Sequence, residues 1–123
     1  MSGASTLRLR RAYEEPAPDD GYRVLVDRVW PRGRSRAALA LDEWLRELGP
    51  SDALRHWFGH DPARWEEFRS RYRGELAAPA PAALLDALAA RARRETLTLV
   101  YGARDEEHNQ ARVIAEEIER RLA

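Results

Sequence analysis

The chain has 123 residues, 44% apolar and 34% charged, a balance that suits one globular domain with a single core and excludes a disordered or fibrous chain. Its 21 basic residues are all arginine and are matched by 21 acidic ones, so no lysine nucleophile or Schiff base exists and the bulk charge of a nucleic-acid binder is lacking. With no cysteine, disulfides, thiolate catalysis and thiolate metal sites are excluded. Arginine in place of lysine, with alanine equally abundant, is explained first by the coding bias of a GC-rich genome. Nothing at the N-terminus resembles a signal peptide, and no apolar run approaches the ~20 residues of a membrane helix. The expected location is the cytoplasm.

Residues 1–6 are small and polar and are expected to fray. Leu7-Arg8-Leu9-Arg10 alternates with period two and predicts a strand with one covered face. Glu14 to Gly21, with two prolines, two aspartates and a glycine, reads as a surface connection. Tyr22 to Arg28 predicts a second strand, whose apolar centre Val24-Leu25-Val26 suits a sheet covered on both faces. Five helical segments follow. Leu41, Trp44, Leu45 and Leu48 share the spacing of one helical face. Ser51 is placed to cap a short helix through Trp57-Phe58, closed by Gly59. Asp61-Pro62 starts the next, with Trp65, Phe68, Tyr72 and Leu76 on one side. Pro79 and Pro81 precede a helix carrying Leu84, Leu85 and Leu88. The last helix is expected from about Glu106 to Leu122. Before it, Thr96 to Tyr101 predicts the third strand.

A strand, a helical crossover and another strand favour parallel pairing of the second and third strands. The expected fold is therefore α/β. It is one domain over 7–123, with a small parallel (or mixed) sheet of about three strands and about five helices packed on it.

In such a sheet the ligand crevice lies outside the carboxyl ends of the strands. Two of these ends are rich in chemistry: Asp27-Arg28-Val29-Trp30-Pro31-Arg32-Gly33 after the second strand, and Tyr101 to Asn109 after the third. Charge crowded at the end of a buried strand is costly unless paired or used. Asp27, His60, Asp105 and His108 are the candidates for proton handling, and Arg28, Trp30, Arg32, Tyr101 and Asn109 for holding a ligand. Structural alternatives stand beside each. Asp27 forms an ion pair with Arg28 or Arg32. Asp105 caps the last helix, with Glu106 and Glu107 complementing its dipole and His108 in its first turn. Trp57, Phe58, Trp65 and Phe68 are core aromatics. His56 and His60 have the spacing of a helical metal pair, but Gly59 interrupts it, and no metal site is assigned.

The run Arg23 to Gly33, with Asp42-Glu43-Trp44-Leu45, Pro50 to Arg55, Trp57 to Pro62, Trp65, Phe68, Tyr72, Leu99 to Asp105 and His108-Asn109, resembles the YeaO-like branch of a family of unknown function, number 488. The resemblance spans nearly the whole chain from about residue 7, and implies a small bacterial cytoplasmic protein without an established reaction. Other branches resemble this layout but carry a Cys-His-Arg run after the last strand, where this chain reads Asn109-Gln110-Ala111. Cysteine-dependent chemistry therefore does not carry over. Some relatives bear a label of porphyrin methyltransferase, for which this chain has neither the length nor a glycine-rich cofactor loop.

The leading expectation is a site for a small anionic ligand at the carboxyl edge of the sheet, with catalysis left open and no cofactor assigned. The alternative is a protein-interaction module that uses exposed arginine and tryptophan. Nucleic-acid binding comes third, since it needs Arg8, Arg10 and Arg11 to join other arginines on one face. Oligomeric state is not specified by the sequence.

Overall fold

The computed structural model describes residues 6–123. The fraying expected of residues 1–6 lies outside the described residues except at Thr6. That residue is tied down: its hydroxyl donates to Ala92 O and its carbonyl accepts from Leu97 N, both at 2.6 Å. Four strands, β1 (Leu7–Arg11), β2 (Tyr22–Leu25), β3 (Glu43–Trp44) and β4 (Leu97–Tyr101), form one sheet in the order β1-β4-β2-β3. Every pairing is parallel, with Leu7 and Tyr22 both opposite Leu97. The helices are α1 (Arg36–Leu39), α2 (Asp52–Phe58), α3 (Trp65–Leu76), α4 (Pro79–Ala92) and α5 (Gln110–Leu122). Short 3₁₀ turns occupy Arg46–Leu48 and Pro62–Arg64.

Successive strand side chains point to opposite faces, so the apolar runs feed two cores. Val24, Val26, Leu97, Leu99 and Tyr101 join the main core with α2–α5. Leu25 and Val100 face the other way, into a smaller core with Ala12 and Leu39, against which Trp30, Leu41 and Trp44 pack. Burial on both faces explains the near-continuous apolar centres of β2 and β4. Asp20, at the end of the connection read as surface, is buried. It accepts from Ala17 N (2.9 Å) and pairs with the buried Arg23 (2.6 Å) and with Arg10 (3.3 Å).

Two expected elements differ. The helix expected over Leu41–Leu48 is instead β3 followed by a 3₁₀ turn. Asp42 N donates to Arg23 O (2.8 Å) and Leu45 N to Leu25 O (2.9 Å), so pairing along the open side of β2 overrides the helical spacing. Leu41 and Trp44 serve the small core, whereas Leu45 and Leu48 serve the large one; the four share no single face. This pairing makes the sheet four-stranded. Second, the last helix begins at Gln110 rather than near Glu106. Asn109, not Asp105, is its cap, accepting from Arg112 N (3.2 Å). His108 therefore precedes the helix instead of lying in its first turn.

The other caps follow the sequence. Ser51 accepts from Leu54 N (3.2 Å), and Gly59 ends α2 with φ 53°. Asp61 accepts from Ala63 N, with Pro62 at the first position of the turn. Pro79 and Pro81, expected ahead of the next helix, instead form the first turn of α4, where a missing N–H costs nothing. Among the described residues no helix is long and apolar enough to cross a membrane.

Candidate functional site

Beyond Leu25, the pairing of β2 with β4 continues for one residue, through Val26 N to Val100 O (3.0 Å). The chains then part, and a cavity of about 240 Å³ opens between them. Its walls come from the segment after β2, the segment after β4, the start of α5, and α2 with its two flanking turns. It is smaller than the ~300 Å³ lower end of drug-sized pockets, so it suits a small ligand.

Asp27 lies at the junction of the two strand ends. Its Oδ2 accepts from Gly102 N (2.8 Å) and its Oδ1 from Gln110 Nε2. Burial pushes the carboxyl up to about 7, against the opposing effects of those two bonds and of the nearby Arg55 guanidinium. Gly102 is needed for this approach, since a Cβ there would stand 2.9 Å from Asp27 Oδ2. The ion pair expected of Asp27 with Arg28 or Arg32 does not form, because two neutral donors hold the carboxyl instead.

Arg28 lines the cavity, but much of its guanidinium is committed. Nε donates to Pro50 O and Nη2 to Gly49 O, both at 2.8 Å. This fork fixes the turn that leads into α2. Gly49 permits the close approach; a Cβ there would meet Arg28 N at 2.8 Å. The consequence lies one helical turn further on. Arg55, on α2, also lines the cavity; its Nη2 bonds Asp52 (3.0 Å), while its Nε is buried without a partner. A buried donor left unpaired costs about 1–3 kcal/mol.

The two histidines line the cavity from different segments, His60 after α2 and His108 before α5. His108 is oriented by Asp105, whose Oδ2 lies 2.8 Å from its Nδ1, and it meets the Trp65 ring edge-on at 5.3 Å. That carboxylate also accepts from Glu107 N (2.9 Å) and His108 N (3.1 Å), which together hold it below the usual carboxylate range. His60 follows Gly59 in a second left-handed residue, φ 58°. For a residue with a Cβ that conformation costs about 1–2 kcal/mol, and it sets the exposed ring beside Phe58 (6.1 Å).

Of the residues expected in the site, Asp27, Arg28, Trp30, His60, His108 and Asn109 line this one cavity. Asp105 reaches it through His108. The Asn109 side chain is spent on capping α5 and on Asp105 O (2.9 Å). Trp30 packs edge-on against Trp44 at 5.3 Å and donates to Arg34 O (2.7 Å). Arg32 and Tyr101 are not brought in. The Arg32 carbonyl accepts from Tyr13 while its side chain faces solvent, and Tyr101 is buried in the main core. Two contributors were missed. Nothing in the run around Arg55 separates it from an ordinary helix-surface arginine. Gln110 carried a signal, because it stands where other branches have the histidine of their Cys-His-Arg run.

The chain matches, over residues 6–123, a family described as "Inactive DUF488-N3 subclade". It is similar to the uncharacterized protein Rv3073c of Mycobacterium tuberculosis H37Rv, with 39% identity over 94% of this chain and 96% of the relative. It is also similar to the uncharacterized protein YeaO of Escherichia coli K12, with 40% identity over 89% of this chain and 94% of the relative. No solved structure matches the chain.

Proposed function

This chain belongs to the DUF488-N3 family, in the subclade described as inactive, and from that premise we propose that it is a non-catalytic binding protein for a small anionic ligand, working in the cytoplasm. The observation that carries the reading is the convergence on one cavity of Arg55, whose buried Nε has no partner, with Arg28, His60 and His108. Three elements of the fold deliver these basic groups to one volume, while other arginines are paired with carboxylates at the surface. Arg8 and Arg10, for example, are held by Asp19 and Asp20. The word inactive applies to the subclade as a whole and favours binding over turnover; on this reading the Asp105–His108 pair orients an imidazole toward a ligand.

A thermal-shift panel of small carboxylates and phosphate esters, run on wild type and Arg55→Ala, tests the proposal. A ligand at a hundred times its dissociation constant stabilises the folded state by about 2.7 kcal/mol. The expected result is such a shift in wild type and its loss in the variant. A panel without effect on wild type, or a shift that survives Arg55→Ala, removes the proposal.

A second reading is supported by Val29 and Tyr13, which are 57% and 43% exposed at the same cavity. They form an apolar rim of the kind that anchors a protein partner. If the small-ligand panel fails, that rim becomes the surface to test.

A further inference from the structure

The cavity presents an apparent contradiction to an anion, because the groups inviting one include a carboxyl. Asp27 is brought there by two independent elements, the Gly102 backbone after β4 and the Gln110 amide at the start of α5, both of them neutral donors. Neither Arg28 nor Arg32 neutralises it. An anion bound by Arg55 next to an ionised Asp27 would place two negative charges in one small, partly dehydrated volume, an arrangement that carboxylate pairs resolve by keeping one proton.

Building on the anion reading above, we propose that the site takes up its anion together with a proton: Asp27 is bound in its acid form and donates a hydrogen bond to a ligand oxyanion that is also paired with the Arg55 guanidinium. The proton comes from solvent and stays on the Asp27 carboxyl; no covalent bond is made or broken. The ligand class this selects is a compact oxyanion, a carboxylate or the terminal oxygens of a phosphate or sulfate, its charge offset by guanidinium. The acid form is within reach at physiological pH, since burial already lifts this carboxyl to about 7.

Other titrating groups face the same volume and must be separated from Asp27. They are Arg55 in α2, His60 just beyond it, His108 ahead of α5, Arg28 on the segment after β2 and Tyr13 after β1; behind the wall, the buried Tyr72 hydroxyl, which donates to Leu48 O, senses the Asp27 charge. A protonated imidazole also attracts an anion, so both histidines are removed together in the test.

Sulfate is the probe, because its charge is constant between pH 6 and pH 8. Its affinity is measured by calorimetry at both pH values for wild type, Asp27→Asn and the double variant His60→Gln/His108→Gln. Wild type is expected to lose about tenfold in affinity from pH 6 to pH 8 and to take up close to one proton per sulfate at pH 8, read from buffers of different ionisation enthalpy. The histidine variant keeps that dependence. Asp27→Asn, whose amide supplies a permanent donor, binds at pH 8 about as tightly as wild type at pH 6. If sulfate binds wild type equally at both pH values, or if the dependence disappears with the histidines and persists in Asp27→Asn, proton uptake at Asp27 is wrong while anion binding stands. If sulfate binds at neither pH, the anion reading itself has failed, and the present proposal falls with it.

Discussion

Replacing Asp27 with asparagine should make the protein more stable at pH 8, and the structure sets the size of the gain. The folded-state pKa is raised from 3.8 to about 7, chiefly by burial. Between those values the folded protein holds a proton that the unfolded chain has released, so stability falls as pH rises through the interval. At about 1.36 kcal/mol per unit, the ionised carboxyl costs the folded state roughly 4 kcal/mol above pH 7 and nothing below about pH 4. Asparagine is isosteric and never ionises. Its carbonyl oxygen can keep the Gly102 N bond, and Gln110 can turn its amide so that Oε1 accepts from the new N–H. Imperfect geometry in that exchange offsets about 1 kcal/mol. The net gain is therefore about 3 kcal/mol at pH 8, on the order of 10 °C in Tm for a chain of this length.

Urea unfolding of both proteins at pH 4.5, 6, 7 and 8 measures this directly. The difference between them should open steadily with pH, from near zero or slightly negative to its full value. Other carboxylates do not blur it, because Asp19, Asp20, Asp52 and Asp105 are shifted downward and lose their contribution only as pH falls. Both proteins share those losses, which cancel in the difference. A constant difference from pH 4.5 to 8, or a variant less stable than wild type at pH 8, would refute the claim that burial without an ion pair governs this carboxyl.

Two further substitutions separate scaffold from site. Arg28→Ala removes the fork on Gly49 O and Pro50 O and should cost about 2–3 kcal/mol in urea unfolding. It should also weaken sulfate binding, because the turn that delivers α2 and Arg55 loosens; unchanged sulfate affinity would mean that Arg28 does not position Arg55. Gly21→Ala and Gly33→Ala form a matched pair, both at positive φ, 66° and 79°. At Gly21 the added Cβ would lie 2.2 Å from Thr96 O, whereas at Gly33 it meets nothing. The first should cost well over 2 kcal/mol and the second about 1 kcal/mol; equal Tm losses would show that the β2–β4 approach at Thr96 is not rigid.

The parts of this fold legible in the sequence are those settled by local chemistry. Ser51 and Gly59 bracket α2, and Asp61-Pro62 opens the turn before α3, because a cap and a left-handed stop act within a few residues. The two errors have a common cause. The stretch from Leu41 to Leu48 has a helical apolar spacing, yet its fate was set by the open side of β2, whose backbone groups it pairs. The start of α5 was set by Asn109 in place of Asp105, since Asp105 is drawn to His108 and to the turn beneath it. In both places a partner remote in space or a competing local bond outweighed the pattern.

The site was legible to the same degree and for the same reason. Parallel topology alone brings the ends of β2 and β4 to one edge, and that step assembled Asp27 with His108. What it could not supply is the contribution of α2, whose preceding turn Arg28 grips at Gly49 and Pro50. Arg28 was expected to hold the ligand, but its bonded nitrogens hold the protein. The nitrogen without a partner belongs to Arg55, a residue that looks from its neighbours like any exposed helical arginine. The combination also argues against a purely structural reading of the site. A buried unpaired guanidinium nitrogen, a left-handed His60 and an Asp27 raised to about 7 each cost on the order of 1 kcal/mol or more. A fold selected only for stability would relieve them with single substitutions, such as asparagine at 27 or glycine at 60. Their concentration around one small cavity is the pattern expected where stability is exchanged for binding.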